Sequence, residues 1–295
     1  MVERAVTFSL PFLRPRQRDW RIPVLTYHAL HAPGLDYMSN DHIALEEDLR
    51  VIRRSGFRVA DVKAIAASVH RRKSPFASGK WVGLTFDDGT DFDFIDLAHP
   101  HLGLIKSFCT ILREAAGPNG DRWPKPTGVS FVIASPEARK VLDRTCIAGL
   151  GQWRDTWWRD AARSGILAIG NHSWDHTHET LETVAQREQR KGTFYGIDNF
   201  EDADRQIRGA QEYINGRTDG LSTRLFAYPY GEASDYLVQE YFPRYKSAHK
   251  IVAAFGLTGD YVTAQSNRWN LPRFSCGADW KSPAELERIL HDAVA

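Results

Sequence analysis

The chain has 295 residues, of which 42% are hydrophobic and 25% charged, and its 38 basic and 37 acidic residues give a formal net charge of +1 at pH 7. This composition is typical of a globular protein with a sizeable core, and the balanced charge argues against nucleic acid or an anionic membrane as a partner. Cys109, Cys146 and Cys276 are odd in number and widely spaced, which argues against a disulfide framework and against a thiolate metal site.

Residues 1–20 are predicted to form an irregular N-terminal extension, and residues 21–295 a single domain. The extension has one short apolar patch, broken by Pro11 and followed by arginines, and it lacks the long apolar region and cleavage site of a signal peptide. No apolar stretch approaches the length of a transmembrane segment. We therefore expect a cytoplasmic protein without a membrane span.

From Ile22 onward, short β-prone runs alternate with segments of helical spacing. Strands are predicted over residues 22–27, 57–59, 81–86, 129–134, 167–169 and 225–228. Helices are predicted from Asn40 or Asp41 to a stop at Gly56, over 61–69 and 155–164, from Asp198 through Tyr213, and over 283–292. This alternation predicts parallel βα units, in which functional side chains collect at the carboxyl ends of the strands.

Two adjacent carboxylates, Asp87 and Asp88, follow the strand over residues 81–86, and Gly89 permits a sharp turn after them. Such a pair can divide two tasks, because one carboxylate can bind a metal while its neighbour stays free as a base. The alternative is a turn in which aspartate makes only local hydrogen bonds.

Three histidines lie within the seven residues 172–178, shortly after the strand over residues 167–169. His172 and His176 are four residues apart, a spacing that brings both to one side of a helical turn. Imidazole is the commonest metal ligand, and two imidazoles with one carboxylate leave coordination positions open for water and substrate. His178 is an alternative to His176, and a polar surface loop without a metal is the alternative for the whole segment.

Two further strand ends carry candidate groups. The turn at residues 229–231 can present the backbone N–H of Tyr230 to an oxyanion, although a strand followed by Pro-x-Gly is also an ordinary turn. His28 follows the first strand, and taken alone it would more often be a structural histidine than a catalytic one.

With these residues identified, the chain resembles the polysaccharide deacetylases of carbohydrate esterase family 4, which share the NodB homology domain. Residues 85–89 and 170–176 resemble the first and second motifs of that family, and residues 226–231 resemble the third. The closer likeness is to the branch that deacetylates poly-β-1,6-N-acetylglucosamine, through the early strand ending at His28 and the late segment 271–273. The resemblance covers roughly residues 22–290.

The resemblance implies a distorted (β/α) barrel of about seven parallel strands. It also implies that Asp88, His172 and His176 hold a divalent metal ion. Zinc is the expected ion, and cobalt or nickel would also suit one oxygen and two nitrogen ligands.

The resemblance assigns catalytic roles as well. Asp87 would act as the general base, the backbone N–H of Tyr230 would bind the oxyanion, and His28 would donate a proton to the departing amine.

Two positions depart from the family pattern. The family arginine that orients the catalytic aspartate lies two places before the third-motif proline, where this chain has Ala227, and Arg273 is the candidate to replace it. The late catalytic histidine of the family has a counterpart only in His291, which lies in a predicted helix.

The resemblance therefore implies a metal-dependent hydrolase that removes N-acetyl groups from an amino-sugar oligomer, polymer or glycan intermediate. Two alternatives stay open. One is a deacylase or deformylase of a small or lipid-linked sugar intermediate, which the lack of an export signal favours. The other is a non-catalytic carbohydrate-binding relative, which the missing arginine favours.

Overall fold

The structure is a computed structural model that describes residues 20–29, 34–71, 74–99, 103–116, 123–147 and 149–295. The predicted N-terminal extension over residues 1–20 lies outside the described residues except for Trp20. Within the described ranges, no helix has both the length and the apolar character that crossing a membrane requires.

The strands are numbered along the chain. They are β1 (Val24–His28), β2 (Arg58–Val59), β3 (Trp81–Asp87), β4 (Leu97–His99), β5 (Gly103–Ile105), β6 (Gly128–Val132), β7 (Leu167–Asn171), β8 (Leu225–Ala227), β9 (Ala253–Phe255) and β10 (Phe274–Ser275).

The α-helices are α1 (Asp41–Arg54), α2 (Val62–Ser68), α3 (Phe108–Ala115), α4 (Pro136–Cys146), α5 (Trp158–Ser164), α6 (Phe200–Ala203), α7 (Ala210–Arg217), α8 (Phe242–Arg244), α9 (Lys246–His249) and α10 (Pro283–Asp292). Two π-helical segments, Asp204–Gly209 and Leu237–Tyr241, join α6 to α7 and lead into α8. Short 3₁₀ turns lie at Asp91–Asp93 and Pro229–Gly231.

Seven strands form one parallel sheet in the order β10-β1-β3-β6-β7-β8-β9, and β2 pairs with the start of β3. A parallel bridge between Phe255 and Leu271 links β9 to the segment that leads into β10, so the two edges of the sheet approach each other. The sheet therefore curls into a distorted barrel, which confirms the predicted fold class. The hairpin of β4 and β5 is a separate two-stranded sheet.

Helices cover the sheet, and its strands are accordingly apolar almost throughout. All five residues of β6 are buried, as are six of the seven in β3. Packing within the sheet also restricts side-chain size, because a Cβ added at Gly170 would lie 2.6 Å from the ring of Phe131 on the paired strand. This close packing holds the carboxyl ends of the central strands next to one another.

Most predicted elements are present, with shifted ends. Asn40 caps α1 by accepting a hydrogen bond from the backbone of His42. The helix predicted from Asp155 begins only at Trp158, and the Asp155 carboxylate accepts hydrogen bonds from Arg139 and Tyr213 rather than capping the helix. The sequence did not predict β4, β5, β9, β10, α3, α4, α8 or α9.

Candidate active site

The predicted site residues meet at the carboxyl edge of the barrel sheet. Their side chains and those of their neighbours line one cavity of about 220 Å³. The lining comprises His28, Asp87, Asp88, Ile133, Leu142, Cys146, Trp153, His172, His176, His178, Tyr230 and Leu257. Six of the seven residues that the sequence singled out are thus brought together here, and the seventh, Arg273, bonds to Asp87.

Asp88, His172 and His176 form the group that could hold a metal ion. Asp88 Oδ1 lies 3.6 Å from His172 Nε2 and 3.8 Å from His176 Nε2. One ligand atom from each residue lies within 4.8 Å of the other two, and all three residues are buried. Buried carboxylates and imidazoles at such mutual distances can converge on a single cation.

The protonation of His172 tests whether the trio fits a cation. Its Nδ1 lies 2.9 Å from the carbonyl oxygen of Ala227, which can only accept, so Nδ1 carries the proton and Nε2 presents a lone pair to Asp88. Burial lowers the pKa of His172, which favours the neutral ligand form. Two hydrogen-bond acceptors therefore face each other, an arrangement that a cation between them would satisfy.

The backbone at Asp88 is held in an unusual conformation. Asp88 has φ +77°, a left-handed value that costs a residue with a Cβ about 1–3 kcal/mol unless its surroundings fix it. The indole Nε1–H of Trp153 donates to the Asp88 carbonyl at 3.0 Å. Gly89 follows with φ +72°, and a Cβ there would lie 2.4 Å from Val132. The turn thus requires glycine and directs the Asp88 side chain into the cavity.

Asp87 is paired with Arg273 although 186 residues separate them. The guanidinium donates to Oδ1 at 2.7 Å and to Oδ2 at 2.8 Å, and it also donates to Thr26, Thr85 and the carbonyl of Gly256. Burial acts to raise the pKa of Asp87, but the charge of Arg273 outweighs it and holds that pKa below its usual range. Asp87 is therefore an ionised carboxylate with a fixed orientation.

We expect Arg273→Met to lower the free energy of unfolding by about 3–5 kcal/mol, because it leaves the buried Asp87 charge without a partner. Arg273→Lys keeps the positive charge but not the bidentate hydrogen bonding, so it should lower the free energy of unfolding by less than Arg273→Met does. Urea unfolding of metal-free protein measures both. Equal stability of wild type and Arg273→Met would contradict the importance of this pair.

His28 and Tyr230 line the cavity together with Asp88, His172 and His176. His28 ends β1 and pairs in register with Asp87 on β3, and its backbone N–H donates to Asp41 at 2.6 Å. Tyr230 has φ +57° within the turn after β8, and its ring lies edge-on to His176 with centroids 4.4 Å apart. A substrate bound in the cavity would therefore contact both residues.

The two competing histidines are placed differently. His178 lines the cavity, but its Nδ1 accepts from the backbone N–H of Thr180 at 3.2 Å, and its Nε2 lies 3.8 Å from Cys146 Sγ. Among the described residues, His176 and not His178 belongs to the group that could hold a metal ion. The side chain of His291 is 79% exposed on α10 and lies outside the cavity lining.

Sequence reasoning missed the apolar part of the cavity. Ile133, Leu142 and Leu257 line it, and none was singled out. Ile133 directly follows β6, so its place at a strand end was a usable signal. Leu142 projects from α4, which the sequence analysis did not predict although Ser135 and Pro136 are usable signals for the start of that helix.

Comparison with known proteins finds a family model that matches part of the chain. A family model described as Polysaccharide deacetylase matches residues 147–242, the span that carries His172, His176 and Tyr230. Curated protein sequences yield no match.

Several solved structures share the fold. The Streptococcus pyogenes deacetylase PplD is 14% identical with a TM-score of 0.59, covering 92% of this chain and 99% of its own. IcaB from Ammonifex degensii is 20% identical with a TM-score of 0.57, covering 94% and 98%. The BpsB deacetylase domain from Bordetella bronchiseptica is 14% identical with a TM-score of 0.55, covering 87% and 96%. The predicted resemblance to the polysaccharide deacetylases is confirmed.

Proposed function

We propose that this chain is a metal-dependent hydrolase that removes N-acetyl groups from an amino-sugar oligosaccharide or polysaccharide. The observation that carries the proposal is the buried trio Asp88, His172 and His176 beside an ionised Asp87 in one cavity. A carboxylate base next to a cation site is the pairing that metal-assisted amide hydrolysis uses. The similarity to polysaccharide deacetylases supports an amino sugar as the carrier of the amide.

Asp88, His172 and His176 would hold the divalent ion, and zinc suits their donor atoms, with cobalt or nickel as substitutes. When bound, such an ion supplies Lewis-acid polarisation of the amide carbonyl and acidifies a water molecule. Side chains and backbone groups of the protein would carry out the proton transfers and stabilise the oxyanion.

In our proposal Asp87, oriented by Arg273, accepts a proton from the water whose oxygen attacks the amide carbon. The backbone N–H of Tyr230 donates to the oxygen that becomes negatively charged. Protonated His28 then donates to the departing nitrogen as the carbon–nitrogen bond breaks. The products are acetate and a free amino sugar, and the proton that Asp87 accepted returns to His28 through solvent before the next turnover.

We expect the double variant His172→Ala, His176→Ala to lose its bound zinc, because only one of the three proposed ligands stays. Elemental analysis after gel filtration measures zinc per chain. His178→Ala is the matched control, since it removes a cavity histidine outside the trio and should keep the metal. Full zinc occupancy in the double variant would refute the site.

Release of acetate tests the activity itself. N-acetylglucosamine monomers, oligomers of increasing length, lipid-linked forms and N-formyl analogues would be incubated with the zinc-loaded protein and with chelator-treated protein. Zinc-dependent acetate release from an oligomer supports the proposal. Preferential release from a monomer, a lipid-linked sugar or a formyl analogue would indicate the small-substrate alternative. Sugar binding without release would indicate a non-catalytic relative.

A further inference from the structure

One long helix beside the site contains an irregular segment. Between α6 and α7 the chain continues as a π-helix over Asp204–Gly209. π-helical turns within α-helices are rare and occur frequently at functional sites. The carbonyl of Ile207, within this segment, accepts a hydrogen bond at 2.9 Å from the side chain of Asn171, the residue before His172. The π-helical segment therefore contacts the strand end that carries a proposed metal ligand.

Gln206, in the same segment, makes further contacts to the loop that follows β7. Its side chain is fully buried. Its Oε1 lies 3.1 Å from the backbone N–H of Trp174 and 3.3 Å from that of Asp175, and its Nε2 donates to Asp175 Oδ1 at 2.6 Å. A single amide thus satisfies two backbone donors and one carboxylate acceptor of the loop.

That loop holds His176 in a conformation that needs support. Ser173, His176 and Thr177 have φ values of +71°, +62° and +46°. Left-handed backbone at residues with a Cβ persists only where the surroundings fix it. Asp175 Oδ1, the same oxygen that binds Gln206, also accepts from the backbone N–H of Thr177 at 3.0 Å. The orientation of the Asp175 carboxylate therefore fixes the turn that presents His176.

We infer that Gln206 is a positioning residue for the metal site, acting through Asp175 on the placement of His176. The inference rests on the proposed function. The amide supplies both the acceptor for the two N–H groups and the donor for the carboxylate, whereas an ionised carboxylate supplies no donor and a thioether at most a weak acceptor. Methionine at position 206 would keep the length without the hydrogen bonds, and glutamate would keep the shape while setting a second carboxylate against Asp175.

The test compares zinc dissociation constants, measured by chelator competition, for wild type, Gln206→Met and Gln206→Glu. Gln211→Met is the matched control, because Gln211 is a buried glutamine on α7 that donates to Ser222, accepts only a long 3.5 Å hydrogen bond from Asn171, and makes no bond to the loop over residues 173–177. We expect Gln206→Met to weaken zinc binding ~10–100-fold, the usual scale for a group that orients a ligand. Gln206→Glu should lose at least as much, and Gln211→Met should stay within ~threefold.

Urea unfolding of the zinc-free proteins separates positioning from general damage to the helix. Weaker zinc binding in Gln206→Met than in Gln211→Met, at comparable zinc-free stability, supports the inference. Wild-type affinity in Gln206→Met, or an equal loss in both variants, overturns it. If Gln206→Met does not fold, the same criteria apply to the near-isosteric Gln206→Glu. A wild-type chain that binds no zinc refutes the proposed metal site, and this inference with it.

Discussion

Asp87→Asn should retain nearly all of the bound zinc while lowering kcat on an N-acetylated sugar by at least ~100-fold, the usual scale for a general base. Asparagine has almost the same shape and keeps one oxygen as an acceptor for Arg273, and position 87 is outside the proposed ligand trio, so the metal ligands should stay in place. The amide oxygen, however, cannot take a full proton from water. Single-turnover acetate release and zinc content, measured on the same sample, give both quantities.

Asp93→Asn is the matched control for that experiment. Asp93 is also buried, on the 3₁₀ turn after Asp88, and Ser130 donates to its carboxylate. Burial raises the pKa of Asp93 well above its usual range, which favours the neutral form that asparagine imitates. We expect its kcat to stay within ~threefold of wild type, because Asp93 does not line the cavity.

Two other results would change the assignment. Wild-type turnover in Asp87→Asn would mean that another group accepts the proton. Loss of zinc together with turnover would mean that Asp87 is a metal ligand, so the division of labour between Asp87 and Asp88 would be wrong.

The site residues that a short stretch of sequence marks were predictable, whereas those that depend on contacts between distant parts of the chain were not. Asp88, His172 and His176 follow strands at the carboxyl edge, and parallel strands bring their ends together whatever the distance along the chain. Once the strands had been predicted, the position of these three residues at the carboxyl edge of the sheet could be predicted as well. The metal they would hold and their roles stay predictions.

The contacts that orient these residues were harder to predict. Arg273 reaches Asp87 across 186 residues, and the sequence could nominate it only by resemblance, since no local spacing links the two. Gln206 lies in a segment predicted as ordinary helix, and the π-helical turn that directs it to the loop leaves no hydrophobic periodicity of its own. Such contacts are set by tertiary packing.

The unpredicted elements have a similar explanation. β9 and β10 have three residues and two residues, too few to show an alternating pattern, and they form because neighbouring strands supply their hydrogen bonds. α4 has clear end signals, Ser135 as its cap and Pro136 in the first turn, and these could have been used. The first case is a physical limit of sequence patterns, whereas the second is a missed signal.

His28→Ala should lower kcat on an amide substrate by at least ~100-fold, whereas His291→Ala should change it by less than ~threefold, or ~0.6 kcal/mol of barrier. His28 lines the cavity and pairs in register with Asp87, so its ring can reach the nitrogen that leaves. His291 is exposed on α10, where it contacts Asp292 and is absent from the cavity lining. The two substitutions are chemically identical, which makes His291→Ala the matched control.

An activated ester separates proton donation from other roles of His28. The phenolate released from 4-nitrophenyl acetate needs no proton to depart, so His28→Ala should recover much of its activity on that substrate. If His28 only shaped the cavity, His28→Ala would lower the activity on the amide and on the ester by the same factor. If His291→Ala is the impaired variant and His28→Ala is not, the proton donor is the late histidine of the wider family, and the likeness of β1 to the poly-β-1,6-N-acetylglucosamine branch says nothing about mechanism.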